Sequence, residues 1–578
     1  MFITYLVPKP TSPGTEELLN DSSCDLRPKA CPEMPSMSRR APYRTQDDSP
    51  LFETKPDVGL KTRNFCIVGL ILGWILSLVC IIGGSLMMSV KEVKVPPKLE
   101  GVGIIVNFYS HWYPEEVFPT THRIYHLMRG GSILLTLSMN LLTAAILDSI
   151  NFIHAVTLRW ALFHEQRLRF NSNVRLFTRS KCHGPNSWYF NVISAKGLAI
   201  SYGALSCIMM DVTVESAINE QTQMFERPAS PPQGFVVINF LAVTALGVGL
   251  LLQVCISSYS LICSQGVLTW SNNPLANAKA ISGYQPGQSE TNVKFPFQLS
   301  QDSMLHVAPE IRSIRHLIWG FCGLFTAWSL GQGTFVSFCG YMMKDKVLWA
   351  PSTLQYWKFY GAMYAAFDTI SKSPPYWLGL LIQIVLQSFL TLALHYFELL
   401  FNLSRDEAAW RDMENGGSKP SPSILSNLSR QTLFSSMIKS TVQWIFGYAF
   451  TADLTFNIAL LPIVALMVVF ILLTILMEYI IKRKPKGSIP ASYGNFGRIL
   501  RLVDEWNHRR LFWGDKGELM PGLRRAGTAG RALAGLQPGI LYCCSQATEL
   551  ETEEIAEQGK LNSASDCDAG SDGGIGRI

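Results

Sequence analysis

Six polar residues recur at steps of four, four, four, three and four within one apolar stretch. They are Gln383, Gln387, Thr391, His395, Glu398 and Asn402, inside PPYWLGLLIQIVLQSFLTLALHYFELLFNLSRDEAAW, Pro374 to Trp410. That spacing puts all six along one face of a single helix, and about twenty-five largely apolar residues are enough to cross a bilayer. A polar ridge facing acyl chains would be costly, so the ridge is expected to face other protein or a wet cavity. The chemistry available is proton or ion relay through His395 and Glu398, acid/base work by the same pair, or interhelical hydrogen bonding by the amides.

Two further apolar runs carry titratable residues. Asp148 and Asn151 lie in the second, and Lys196 lies in the third. Counted inward from the expected cytosolic ends, Asp148 sits about 17 Å from Arg159, Lys196 about 15 Å from Pro185 and Glu398 about 10 Å from Arg405. His395 falls between Asp148 and Glu398 in depth. The candidate site is therefore an intramembrane polar cluster of Asp148, Asn151, Lys196, Gln383, Gln387, His395 and Glu398. An Asp148–Lys196 pair would neutralise both charges and leave His395 and Glu398 to each other or to a passing ion. His122 and His126 stand four apart, a spacing that chelates a metal if the segment is helical. No third ligand accompanies them, so the expectation is an interfacial loop, no metal and no cofactor.

The elements that must position these residues follow from composition. The chain has 578 residues, 48% hydrophobic and only 16% charged, which is too apolar for an ordinary soluble protein of that length. Seven clustered apolar runs are long enough to span: Phe65–Val90, Gly131–Phe152, Ser187–Met210, Gly234–Cys263, His316–Gly340, Tyr376–Phe401 and Leu454–Ile481. The expected class is an all-α, polytopic helical transmembrane bundle of seven to eight spans with disordered tails. The first apolar residues, FITYLV, are too few for a cleavable signal and Pro8 and Pro10 follow, so insertion is expected to start at the first span.

Arg167, Arg169, Arg175, Arg179 and Lys181 after the second run mark a cytosolic connector. The basic segment after Ile481 must also be cytosolic, which seven crossings from an inside start would forbid. Met437–Phe456 is the best candidate for an eighth crossing or a re-entrant segment, and both termini are then inside. The domain plan is a disordered cytosolic tail over 1–61 and a helical transmembrane domain over 62–481, with cytosolic loops at 164–186, 264–315 and 403–436. A basic juxtamembrane region over 482–535 and an acidic disordered tail over 536–578 follow. Phe496, Ile499, Leu500, Val503 and Trp506 share one helical face, fitting an amphipathic helix on the inner leaflet or one packed on cytosolic loops. Gly83-Gly84 fits either a close helix contact or a bend, and Gly320, Gly323, Gly331 and Gly333 of the fifth span are expected to favour tight packing. Gly514–Gly517, GDKG, reads as a turn.

The thirteen cysteines form no disulfide or zinc pattern, and Cys543 and Cys544 read as tail thiols, with palmitoylation the alternative. A net charge of +6 gathered beside spans points to the bilayer and anionic inner-leaflet lipid rather than nucleic acid. No P-loop, nucleophile elbow, H-E-x-x-H or EF-hand is present.

TLRWALFHEQRLRFNSNVRLFT, VLTWSNNPLANA, LHYFELLFNLSRDEAAWR, IPASYGNFGRILRLVDEW, FWGDKG and RRAGTAG together resemble a family of uncharacterised multi-pass membrane proteins of filamentous fungi. The resemblance covers roughly Gly131 to Gly530. It implies the membrane class and, as that family has no assigned activity, brings over no functional residue. Arg525 stands where relatives often have His. Three functional readings follow, in order: a non-enzymatic membrane scaffold or interaction protein, an ion- or proton-coupled transporter or channel using the polar cluster, and a membrane-embedded lipid-modifying enzyme.

Overall fold

The computed structural model describes residues 59–90, 122–126, 131–171, 178–181, 184–211, 217–218, 225–226, 235–263, 266–284, 302–342, 358–360, 376–420, 430–452, 456–485, 489–537 and 540–544. The amino-terminal tail through 58 and the acidic tail beyond 544 lie outside the described residues, as do the surroundings of Gly333. The chain is mostly helical. Its helices are α1 (Leu60–Ser89), α2 (Gly131–His164), α3 (Trp188–Ser206), α4 (Phe240–Ile262), α5 (Pro274–Tyr284), α6 (Met304–Val307), α7 (Ile311–Met342), α8 (Tyr376–Leu403), α9 (Arg405–Asn415), α10 (Arg430–Ala449), α11 (Leu460–Lys482) and α12 (Phe496–Leu502). Five segments are long and apolar enough to cross a membrane: Leu60–Ser89, Leu134–His164, Phe240–Ile262, Leu380–Asn415 and Leu461–Lys482. The chain is an integral membrane protein.

The first helix shows why these sequences pack as they do. It turns Gly69, Gly73, Ser77, Cys80 and Gly84 inward and exposes Phe65, Val68, Leu72, Ile75, Val79 and Leu86. Large apolar side chains outside and small ones inside is the pattern of a helix in lipid, where backbones gain by close approach rather than by burying grease. A Cβ on Gly84 would collide with Thr244 Oγ1, and one on Gly247 would lie 2.8 Å from the Ser77 carbonyl. Ser77 Oγ donates to the Gly247 carbonyl at 2.9 Å, so α1 and α4 touch along their backbones. The α3–α4 crossing is similar, with a Gly249 Cβ falling 2.6 Å from Ser201 Oγ.

The fifth apolar run departs from expectation. A Cβ on Gly320, Gly323 or Gly331 meets nothing within 4 Å. Helix α7 instead packs Ile314, Ile318 and Phe325 into the core it shares with α11, which turns these glycines outward. Gly84→Leu should therefore lower the melting temperature sharply, whereas Gly320→Ala should be neutral or gain up to about 1 kcal/mol through helix propensity. Thermal unfolding of the two purified variants checks this contrast.

Short strands close one end of the bundle. β1 (His122–His126) and β2 (Met209–Asp211) flank β5 (Phe235–Asn239), while β6 (Lys358–Tyr360) and β7 (Phe450–Ala452) flank β8 (Phe456–Ala459). A separate two-stranded pair joins β3 (Ala217–Ile218) to β4 (Phe225–Glu226). The β1 backbone is extended, with His122 opposite Asn239 and His126 opposite Phe235. Residues four apart on a strand stand about 13 Å apart, so the helical spacing that would let this pair chelate a metal is not realised. Among the described residues no group of three or more His, Cys, Asp or Glu could hold a metal ion.

At the opposite end the basic connectors fold together. Arg159 donates to the carbonyls of Asn171 (3.1 Å) and Ser271 (2.6 Å) and to Asn272 Oδ1 (3.2 Å). Asn171 N–H reaches the Gly494 carbonyl at 2.8 Å, and Phe496 N–H reaches Arg169 O at 3.0 Å. The chain after α11 is thus seated on the connectors after α2 and α4. Of the two positions open to the amphipathic segment, the structure takes the one packed on the loops. Helix α12 ends at Leu502, and Phe496, Ile499 and Leu502 are buried against α5 and its neighbours.

The carboxy-terminal segment carries a sheet that the sequence reading did not contain. Antiparallel β9 (Phe512–Met520) and β10 (Leu523–Ala529) pair FWGDKG with RRAGTAG, and β11 (Leu541–Cys544) adds in parallel. GDKG is therefore strand, and the chain reverses at Pro521-Gly522, where Gly522 has φ +83°. Beyond 536, the expected start of the acidic tail, the described residues include 537 and 540–544, with β11 among them. Cys543 is buried in β11, where burial pushes its thiol up; that is an inert site rather than one for lipidation.

Lys516 is held by Asp504 Oδ2 (2.5 Å) and Glu505 Oε1 (2.6 Å), and Arg524 by Asp515 Oδ2 (2.6 Å). The Lys516 hydrogen bond draws the Glu505 carboxyl below its usual value. Burial pushes Asp515 up, but Arg524, the Gly517 N–H and the Tyr542 hydroxyl outweigh it and hold the carboxyl low. Folded values below the unfolded ones contribute stability above about pH 4 that is lost as pH falls through the folded values. Hydrogen-exchange protection of β9 and β10 should therefore fall between pH 5 and pH 3 on this account; equal protection at both would contradict it.

Candidate intramembrane charge site

One lysine ties three helices. Lys439 of α10 places Nζ 2.8 Å from Asp148 Oδ1 on α2 and 3.1 Å from Glu398 Oε2 on α8, and Ser436 Oγ donates to Asp148 Oδ2 at 3.0 Å. Helix α10 can do this because Ser436, Lys439, Ser440 and Gln443 share one face, while Phe434 and Met437 lie exposed away from it. The lysine side chain is 15% exposed and the two carboxylates 33% and 34%. The buried Tyr202 of α3 lies within electrostatic range of all three, and Arg405 lies within range of Glu398. Two carboxylates, one ammonium and one guanidinium balance to neutrality, the condition for charges to stay within a membrane domain.

Of the residues singled out from sequence, Asp148 and Glu398 meet through Lys439. His395, one turn from Glu398, interacts with it electrostatically but is exposed on α8. Asn151 is half-buried, a turn below Asp148. Lys196 is exposed on α3 and takes no part in the Asp148 contact. The rotation of α3 is set by Gly197 against α4 and Gly203 against Ile384 of α8, which leaves Lys196 outside.

Above this triad the ridge of α8 turns inward. Gln383 donates from Nε2 to Ser206 Oγ (2.8 Å) and to the Phe450 carbonyl (3.1 Å). Gln383 Oε1, both polar atoms of Gln387 and Thr391 Oγ1 are sealed from solvent without a hydrogen-bond partner among the described residues. Ser440 Oγ, Gln443 Oε1 and Trp444 Nε1 of α10 are in the same condition. Because Lys439 reaches Glu398 while Phe450 reaches Gln383, α10 runs antiparallel to α8, and the two rows lie at matching heights. Native proteins leave few buried polar atoms unpaired, each costing about 1–3 kcal/mol. Four of these atoms lie on α8, on the face that carries Glu398, and three lie on α10.

Lys439, Ser436, Tyr202 and Ser206 were not picked out from sequence. The available signal was a lone lysine inside Met437–Phe456, a stretch otherwise weighed only for its length. No family model, curated protein or solved structure matches this chain.

Proposed function

We propose that the chain is an eight-crossing membrane protein that passes protons or a small cation along the seam between α8 and α10, using Lys439, Asp148 and Glu398 as the relay. The sealed and unpaired polar atoms of Gln383, Gln387 and Thr391, on the face of α8 that carries Glu398, support the reading. A seam built only to hold helices together would close its own hydrogen bonds, whereas a hydrated path must leave them for water and cargo. Protonation of Glu398, or a cation bound beside it, weakens its hold on Lys439 and lets the ammonium turn wholly to Asp148. Contact between α8 and α10 then depends on occupancy, a two-state element of the kind a coupled carrier uses.

The topology is part of the proposal. Helices α3, α7 and α10 join the five apolar segments as crossings, with both termini cytosolic. Support comes from the basic connectors after α2, α4 and α11 gathering at one end and the short sheets at the other. Membership of the fungal multi-pass family is proposed on the phrases already quoted. The scaffold reading stands second, favoured by the folded carboxy-terminal sheet seated on the cytosolic loops. An acid/base role for His395 and Glu398 has less support, since Glu398 is engaged by Lys439 and His395 turns outward.

Purified protein reconstituted in liposomes with an internal pH dye, under imposed proton, sodium or potassium gradients, tests the proposal. Flux above empty liposomes is expected, falling at least tenfold in Glu398→Gln with the fold intact. No flux from the folded wild type, or equal flux from the variant, would overturn it.

A further inference from the structure

A second cluster lies at the basic end, on the outer surface between α7 and α11. Arg315 grips Glu478 with two nitrogens, Nε at 2.8 Å from Oε2 and Nη2 at 2.7 Å from Oε1. Lys482 Nζ stands 2.8 Å from Oε1, and Trp319 Nε1 donates to Oε2 at 3.3 Å. These contacts saturate the carboxylate and fix the first turns of α7 against the last turns of α11. Beside them is an open cleft of about 400 Å³ lined by Trp319, Ile475, Glu478, Tyr479, Lys482 and Arg483.

We infer that this cleft is a binding site for an anionic phospholipid of the leaflet on the basic side. Its position is set by the sequence of α11, in which LLPIVALMVVFILLTILMEYIIK gives way directly to basic residues, so the cleft lies at headgroup height. Its walls divide accordingly. Ile475, Trp319 and Tyr479 present exposed apolar surface toward the acyl region. Lys482 is exposed in the lining; Lys484, two residues further on, and Arg312, one turn before Arg315 on α7, are exposed as well. Arg483 is already committed to Glu407 and stacks its guanidinium 6.0 Å from the Tyr479 ring centroid. Counting Arg315 and Lys482 against Glu478, the cleft keeps a net positive charge before Arg312 and Lys484 are added. A phosphate diester with a further negative charge on its headgroup matches that rim, and an acyl chain matches the aromatic and aliphatic wall. A soluble anion would satisfy the rim and leave the wall uncovered. Assignment to the cytosolic leaflet rests on the topology proposed above; the binding itself does not.

The test is lipid retention by the full-length chain in detergent, with phosphatidylserine and phosphatidylcholine offered separately and bound lipid counted by native mass spectrometry. Phosphatidylserine should be retained at least tenfold more tightly than phosphatidylcholine. That preference should vanish in Arg312→Gln/Lys482→Gln/Lys484→Gln and survive in Lys482→Arg, which keeps the charge. Equal retention of the two lipids, or an undiminished preference in the triple variant, would overturn the inference. Should the triple variant fail to fold, the single Lys484→Gln change, at an exposed position, must still weaken retention severalfold. Loss of liposome flux in Glu398→Gln leaves this result untouched, so the two proposals fail separately.

Discussion

Lys439→Met is expected to destabilise the protein by about 2–4 kcal/mol, because it leaves Asp148 and Glu398 without the ammonium they share. Removing one partner of a buried ion pair typically costs about 3–5 kcal/mol; the partial exposure of both carboxylates moves the expectation to the lower part of that range. The loss arises from the charges left behind, so it should be reversible by removing them. Lys439→Met combined with Asp148→Asn and Glu398→Gln should recover stability to within about 1 kcal/mol of wild type, since neutral interhelical contacts average about 0.6 kcal/mol. Flux should not return with it. Melting temperatures of the single and triple variants in detergent check the first half, and liposome flux checks the second. A single variant as stable as wild type would mean that Lys439 does not hold the two carboxylates.

Trp410→Ala carries the second large effect. Trp410 is fully buried at the junction between α9 and the carboxy-terminal sheet, edge-on to Trp513 at 5.2 Å between ring centroids. Its Nε1 donates to Ser492 Oγ at 2.7 Å, and that hydroxyl donates onward to Asp406 Oδ2 at 2.5 Å. The Gly494 N–H donates to the same carboxylate oxygen at 2.6 Å. One indole therefore supports both the stacking on the sheet and the hydrogen-bond chain that seats Pro490–Asn495. Truncation removes about 3–5 kcal/mol of packing and leaves a buried hydroxyl with one fewer partner. The loss should appear as local opening of this segment. Limited proteolysis should cut between Arg483 and Arg531 at least tenfold faster than in wild type, with the helical bundle intact. Unchanged cleavage would contradict the seating described.

Five of the membrane helices were legible because apolar runs of sufficient length have few other uses, and the buried part of the α8 ridge, Gln383 and Gln387, was legible because its period matches the helix. Rotation about each helix axis was not. Depth brought Asp148 and Lys196 to one height, but the glycine contacts of α3 turn Lys196 outward, and Lys439, at a similar height on α10, takes its place. The same limit applied to α7, whose glycines were expected at contacts and lie outside, whereas Gly84 of α1 meets α4. In RRAGTAG the glycines hid a strand. Gly527 has Lys516 and Asp504 at its back, so a β-branched residue favoured elsewhere in strands would collide there. His122 and His126 have helical spacing on an extended backbone, and spacing alone carries no information about which backbone is present.

The most direct measurement is water access along the seam between α8 and α10. Single cysteines at Gln387, Thr391 and Gln443, and a control at Val385 on the lipid-facing side of α8, would be exposed in liposomes to a small, charged thiosulfonate. Modification would be quantified position by position by peptide mass spectrometry. The hydrated relay predicts modification at 387, 391 and 443 at least tenfold faster than at 385, and slowed further when the triad is neutralised. Rates at 387 and 443 no greater than at 385 would mean a dry seam, and the relay would then have no path to serve.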